Sequence, residues 1–228
     1  MPVISPSRTQ PAPPELQAKA QPRQKRAVET YEQILGVTAQ LLAEVGIERL
    51  STNLVCERAG ISPPALYRYF PNKYALLREL GMRLMAAQNA IVQAWATPAT
   101  MKLPQAAFSA SIFELYAQTL ALTRELPEGL WVTRALRAVP ALTQVRIDSH
   151  VYVSGLIQSA FLVAYPRADV GRVAVMTRLA VEMVYAALEM MFDDPTLNEQ
   201  AVGQTLADMI TWQAMLLRKP GRPQATER

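Results

Sequence analysis

The side chains best suited to chemistry lie close together, on a short stretch after residue 62. Pro63, Ala65, Tyr67, Arg68 and Tyr69 fall on one outward helical face with few acidic groups. The chemistry open to such a set is recognition. Small residues allow close approach to a major groove, and aromatic hydroxyls reach phosphates. No set of residues suited to bond-making competes with it. Asp148, Ser149 and His150 have the residue types of a nucleophile relay. Adjacent side chains on a helix diverge by about 100°, so they cannot form one. No Gly-rich phosphate loop, HExxH or DxD-type pattern occurs, and Asp193-Asp194 reads as a helix end and cap before Pro195. The expectation is no enzyme, no cofactor and no metal. The single cysteine excludes an internal disulfide and any Cys-based zinc site, and the single histidine excludes most His-based ones. Cys56 is expected to be a small buried residue. A redox role would need an exposed thiol of low pKa, and Arg58 is its only near cation in the sequence.

The elements that must position this face are two short helices and a tight turn. Ser51 is placed to cap a helix over Thr52–Ala59. Gly60-Ile61-Ser62 forms the turn, with Gly60 able to take the turn conformation. Ser62 caps a helix from Pro63 to Phe70, and Pro63 fits a first turn whose N–H would be unpaired anyway. This is the layout of a helix-turn-helix. Val55, Ile61, Leu66 and Phe70 are expected to pack inward on Leu41, Leu42 and Val45 of a preceding helix. That helix shows apolar residues at spacings of three and four from Val28, and Gly46 ends it. Asn72 caps a long fourth helix running through Leu76, Leu84 and Ile91 to Trp95.

Beyond it, prolines divide the chain into helices expected near 104–125, 127–138, 140–164, 168–192 and 195–218. Strand signals are missing, so the chain reads as all-α with about nine helices. Its 228 residues are 50% hydrophobic and 18% charged, which excludes wholesale disorder and favours broad buried faces or an extensive interface. The longest apolar run, Val151 to Tyr165, contains Gln158 and falls short of the roughly 18 residues of a membrane span. The start lacks a signal-peptide pattern, and the expected location is cytoplasmic. Residues 1–22 read as a disordered, Pro-rich basic arm, and 219–228 as a second disordered tail. The arm reads either as a solubilising tail or as an aid in holding an anionic partner.

Gly46, Ser51, Ala59-Gly60-Ile61-Ser62, Leu66-Tyr67-Arg68-Tyr69-Phe70 and Asn72-Lys73-Tyr74-Ala75-Leu76-Leu77 resemble the N-terminal domain of tetracycline-repressor-type (TetR/AcrR) transcriptional regulators. The resemblance is dense over about residues 24–78. It implies a DNA-binding domain at 23–78 and a helical effector-binding and dimerisation domain at 79–218. By position it implies phosphate contacts from Ser51, Tyr67 and Lys73, and a backbone contact from Tyr69. Asn53 falls where the family places a base-reading side chain. Ser62 opens the recognition helix, on which Pro63, Pro64, Ala65 and Arg68 face the bases. Leu54, Cys56 and Pro63-Pro64 depart from the family pattern. A proline offers no donor and touches only thymine methyls or sugars, leaving Asn53 and Arg68 as the main donors for direct readout.

The resemblance further implies a homodimeric repressor of pseudo-palindromic double-stranded operator DNA, released by a small molecule. In the larger half, Phe113, Glu114, Tyr116, Trp131, His150, Gln158, Phe161 and Met183 are candidates to line an effector pocket for an apolar or aromatic molecule. Most aromatic and Met side chains there must instead form the core. The last two helices, with Val173, Met176, Thr177, Ala180, Val184, Ala187, Leu188 and Met191 on one and Leu197, Val202, Leu206, Met209, Ile210, Gln213 and Leu217 on the other, are expected to form the dimer interface. The alternative is an effector-independent protein that shapes DNA or binds a protein partner on the same fold.

Overall fold

The computed structural model describes residues 14–19, 22 and 24–218. Ten α-helices are present among them: α1 (Lys25–Arg49), α2 (Thr52–Ala59), α3 (Pro63–Tyr67), α4 (Lys73–Trp95), α5 (Pro98–Met101), α6 (Gln105–Glu125), α7 (Gly129–Ala138), α8 (Thr143–Ala164), α9 (Val170–Asp193) and α10 (Glu199–Leu217). A 3₁₀ turn, Pro140–Leu142, leads into α8. No strand occurs among the described residues. The helix beyond the expected nine is α5, a single turn that Thr97 caps by accepting from the Thr100 N–H. The last helix starts at Glu199, where Asn198 caps it, and not at Pro195.

Gly46 breaks α1 internally, at φ 73° and ψ 172°, a backbone region that essentially only glycine occupies. Gly60 closes α2 in the left-handed conformation, φ 64°. Between these two glycines the chain reverses and lays α2 and α3 against α1. Tyr31, Ile34, Leu35, Leu41 and Leu42 of α1 meet Val55, Leu66 and Phe70 in a buried floor. Val28 stays exposed and Ile61 half-buried.

Helix α4 is shared. Its first turns bury Ala75, Leu76 and Leu77 against the floor, and its later turns bury Leu84, Met85 and Gln88 under α6, α7 and α8. One apolar cluster therefore runs from Tyr31 to Leu217, and the boundary expected at residue 78 falls inside α4. The larger half packs α6 on α10, α8 on α9, and α9 on α10.

Part of the expected disordered arm is described and is held in place. Residues 14–19 cross the junction of α3 and α4. The Lys19 N–H donates to the Tyr69 carbonyl at 2.8 Å, and Asn72 Nδ2 donates to the Glu15 carbonyl at 2.8 Å. Leu16 and Ala18 pack on the core. One backbone bond, one side-chain bond to the backbone and two apolar contacts are what compositional reading could not foresee. The rest of the arm and the tail at 219–228 lie outside the described residues.

Candidate nucleic-acid interface and internal cavity

The outward face of α2 and α3 carries most of the expected recognition residues. Ser51 accepts from the Leu54 N–H at 3.2 Å, capping α2 while staying exposed. Asn53, Ser62, Pro63, Pro64 and Arg68 are exposed, and Ala65 is half-buried. Ser62 holds the N-cap position of α3, but its side chain makes no capping bond. Tyr67 is 40% exposed, and its hydroxyl lies 3.0 Å from that of Thr52. Sequence reasoning missed Thr52. Its signal was its place beside Ser51 and Asn53 in the first turn of α2. The face has no carboxylate in Ser51–Asn53 or Ser62–Arg68. Arg58 is turned away into an ion pair with Glu44 at 2.9 Å. Cys56 is buried, and burial pushes its thiol pKa up, which makes it unreactive.

Two expected contacts fall elsewhere. Tyr69 is only 5% exposed and meets the Tyr31 ring edge-on, with centroids 5.9 Å apart. The reason is local: Tyr69 and Phe70 stand three and four residues after the buried Leu66, and their N–H groups both bond to its carbonyl, so a last helical turn sets all three on the floor side. Lys73 extends its ammonium to the carbonyls of Ile47 and Leu50, each at 3.2 Å. These carbonyls lie past the Gly46 break, where a helix end leaves acceptors without N–H partners. The Lys73 charge thus ties the start of α4 to the end of α1.

In the larger half, a cavity of about 50 Å³ lies between α4, α5, α6, α8, α9 and α10. Its walls are Val92, Trp95, Phe108, Ile112, Val153, Phe161, Met176, Val184, Ile210 and similar side chains, with Gln88, Thr119 and Tyr185 as the polar ones. Of the eight expected pocket residues, only Phe161 lines it. Glu114 is exposed and accepts from Gln118. Phe113 and Tyr116 are wedged against Gly203 of α10, where a Cβ would come within 2.7 Å of the Tyr116 ring. Trp131 sits beside Gly46. Gln158 is half-buried away from the cavity, and Met183 lines a surface groove between α9 and α10. Spacing along one helix cannot tell which of its inward residues face a void shared by six helices.

Gln88, on α4, is 1% exposed. Its Nε2 donates to Thr123 Oγ1 at 2.8 Å, and its Oε1 accepts from the Tyr185 hydroxyl at 3.0 Å. Thr123 gives its own hydrogen to the Thr119 carbonyl at 2.7 Å, so it can only accept from Gln88. That fixes the amide orientation. Sequence reasoning missed Gln88, although a glutamine on the buried stripe of Leu77, Leu84 and Val92 was a visible signal.

His150 is fully buried, behind the cavity wall, and stacks on Tyr185 with ring centroids 4.1 Å apart. Its Nδ1 faces Glu182 Oε1 at 3.0 Å. Glu182 also pairs with Arg178 at 2.7 Å and Arg146 at 3.4 Å. Burial pushes the His150 pKa down, outweighing the hydrogen bond to Glu182. Burial alone would raise Glu182, but the bond from His150 and the two guanidiniums hold it below the usual carboxylate range. Nδ1 therefore carries the hydrogen of a neutral imidazole. Asp148 instead accepts from Gln144, and Ser149 donates to Asn89, so the three consecutive residues diverge.

On the outer side, α9 exposes Val175 and Leu179, and α10 exposes Met209, Trp212 and Leu216. Most interface candidates named from the sequence, including Val173, Met176, Thr177, Leu188, Leu206, Ile210 and Leu217, are buried in the chain's own core. The helices are apolar on two faces: of the exposed residues, Val175, Leu179 and Met209 border a groove between α9 and α10, and Trp212 borders another between α6 and α10. No helix among the described residues is long and apolar enough to cross a membrane, and none of their His, Cys, Asp or Glu side chains cluster in threes as a metal site would require.

Residues 34–80 match the family model of bacterial regulatory proteins of the tetR family. The chain is 42% identical over 56 residues to the class A tetracycline repressor from transposon 1721 of Escherichia coli, covering 25% of this chain and 26% of that protein. It is 38% identical over 69 residues to the nucleoid occlusion factor SlmA of Mannheimia succiniciproducens, covering 29% and 32%. The chain thus spans about a quarter to a third of these relatives. Among solved structures, a tetR-family transcriptional regulator from Streptomyces coelicolor superposes with a TM-score of 0.60 at 15% identity, over 87% of this chain and 92% of that one.

Proposed function

We propose, from the match of residues 34–80 to the tetR family model and the similarity to a tetracycline repressor, that the chain is a tetR-family regulator: a homodimeric cytoplasmic repressor of pseudo-palindromic operator DNA, released by an apolar or aromatic small molecule. The carrying observation is the α2–α3 face, with exposed hydroxyls, an amide and a guanidinium on a rigid apolar floor. In this reading Ser51, Ser62 and Tyr67 hold phosphates and set the register. Asn53 and Arg68 supply donors to base edges, while Pro63, Pro64 and Ala65 admit close approach. Tyr69 and Lys73 act behind the face, as packing and as a tie. The exposed stripe of α9 and α10 pairs with its copy, so that two recognition helices enter major grooves about one DNA turn apart.

Release follows a population shift. A ligand in the cavity favours a setting of α4 whose recognition helices no longer fit both half-sites. By linkage, operator DNA weakens the ligand by the same factor. A second reading, an effector-independent DNA-shaping or partner-binding protein, draws support from the similarity to a nucleoid occlusion factor.

Selection of bound duplexes from a random pool, at about 150 mM salt to suppress nonspecific binding, tests the proposal. The expected result is an enriched pseudo-palindrome with half-sites about 10 bp apart. No enriched motif from folded, dimeric protein would exclude the sequence-reading repressor.

A further inference from the structure

We propose that the cavity takes an uncharged, mainly apolar molecule bearing a single oxygen acceptor, and that Gln88 is the side chain that reads this oxygen. The inference deepens the reading of the larger half as an effector-binding domain and rests on it.

The first argument is charge. No Asp, Glu, Lys, Arg or His lines the cavity. Two charged groups lie behind its walls: Glu182 with Arg146 and Arg178, engaged with itself and with His150 behind Tyr185, and Arg218, which lies over the Phe108 ring at 4.9 Å and donates to the Leu103 carbonyl. Burial also keeps the Tyr185 phenol neutral by pushing its pKa up. An ion entering this space would lose its hydration and find no counter-charge, at a cost far above that of a hydrogen-bonded neutral group. At about 50 Å³ the cavity exceeds the roughly 10–15 Å³ that one water needs and falls short of the roughly 150 Å³ of a preformed benzene site, so a short chain is the nearer scale and a single ring enters only as the walls widen.

The second argument is the direction of the hydrogen bonds. Thr123 must accept from Gln88, so Gln88 must accept from Tyr185. One amide hydrogen then goes to Thr123, and the other has no fixed partner in this chain of bonds. The Tyr185 and Thr119 hydroxyls have both given their hydrogens, to Gln88 Oε1 and to the Leu115 carbonyl. The polar end of the cavity therefore has a donor to offer on Gln88 alone. A carbonyl, ether or hydroxyl oxygen satisfies that donor; a hydrocarbon leaves it unused.

The third argument is position. Gln88 stands on the helix whose N-terminal cap, Asn72, lies beside α3. The two are about 24 Å apart along α4 at 1.5 Å per residue. A ligand oxygen on Gln88 therefore pulls on the element that leads directly to the recognition helix.

Four probes that share one ring test the chemical class: toluene, benzyl alcohol, benzoate and benzylammonium. Each is titrated into the full-length protein without DNA, and dissociation constants are taken from the rise in melting temperature. Benzyl alcohol is expected to bind roughly fivefold more tightly than toluene, the worth of one net hydrogen bond. Benzoate and benzylammonium are expected to leave the melting temperature unchanged. Gln88→Met, checked by circular dichroism, should bind the alcohol and toluene equally; if it does not fold, the ranking on the unaltered chain decides. Binding of either ion as tight as that of the alcohol, or equal binding of alcohol and toluene, would overturn the class. Binding of none of the four would overturn the cavity as a ligand site, and with it the effector-binding reading on which the class rests. The operator selection does not depend on either result.

Discussion

Around α2 and α3 the polar side chains stand outward and the apolar ones form the floor. In the larger half the arrangement is turned inside out. Gln88, Thr119, Thr123 and Tyr185 hold their polar atoms inside, while Val175, Leu179, Trp212 and Leu216 face solvent. A surface that reads a polymer of fixed shape needs rigid backing and free hydrogen-bonding groups. A chamber for a small apolar guest needs the opposite, with its few buried polar groups bonded to one another and little left over for the guest to satisfy. The two regions are joined through α4, which lends one end to each.

The largest expected effect tests the rigidity of the floor. Phe70→Ala should cost about 3–5 kcal/mol in urea unfolding, because Phe70 is fully buried beneath the recognition face. A loss under half of that would mean the floor relaxes, and the contrast between rigid face and yielding chamber would fail. The next test separates two tyrosines two residues apart. Tyr67→Phe should weaken operator binding by about 1.5–3 kcal/mol, the range for a hydrogen bond to a charged group, with folding stability unchanged. Tyr69→Phe should leave operator binding unchanged. Fluorescence anisotropy on the selected duplex reads both, and equal effects would mean the face is drawn wrongly.

A smaller effect concerns the polar cluster behind the cavity. The His150 pKa is lowered in the fold, so the unfolded chain binds more protons once pH drops through the ordinary histidine value near 6.5. Stability is complete above that value and declines as pH falls toward the lowered folded value, by at most about 1.4 kcal/mol per pH unit. His150→Phe should flatten this decline between pH 7.5 and 5.5 in thermal melts. Glu182, also lowered, acts only below the ordinary carboxylate range. An unchanged slope in the variant would mean another group drives it. The smallest effect isolates the arm. Asn72→Ala removes both the cap of α4 and the bond to Glu15, and should cost about 1 kcal/mol. Asn72→Asp keeps the accepting oxygen and removes only the donor to Glu15, so its change should stay within about 0.5 kcal/mol.

The same contrast explains what could be read from the residues alone. The α2–α3 unit is specified locally: Ser51, Gly60, Pro63 and Asn72 each act within a turn of their own position. Hence the bounds of α2 and the start of α4 coincide with expectation. Tyr69 was misplaced because its spacing of three from the inward Leu66, which puts it on the same face, was passed over. The cavity was not legible in the same way. Its lining comes from six helices, and nothing in the spacing of Phe113 or Trp131 separates a wall residue from a wedge between helices. The better signal was a polar residue on an apolar stripe: Gln88 marks the polar end, and the sequence reading passed over it.

Because α4 completes the packing of both halves, it also limits how such a protein can be recombined. An exchange of the DNA-reading part for that of a relative cannot be cut at residue 78 without splitting Leu76 and Leu77 from Leu84 and Gln88. A working hybrid must inherit α4 whole from one parent, together with residues that suit it in the other. In the reading proposed above, new pairings of operator and effector are therefore constrained at this helix.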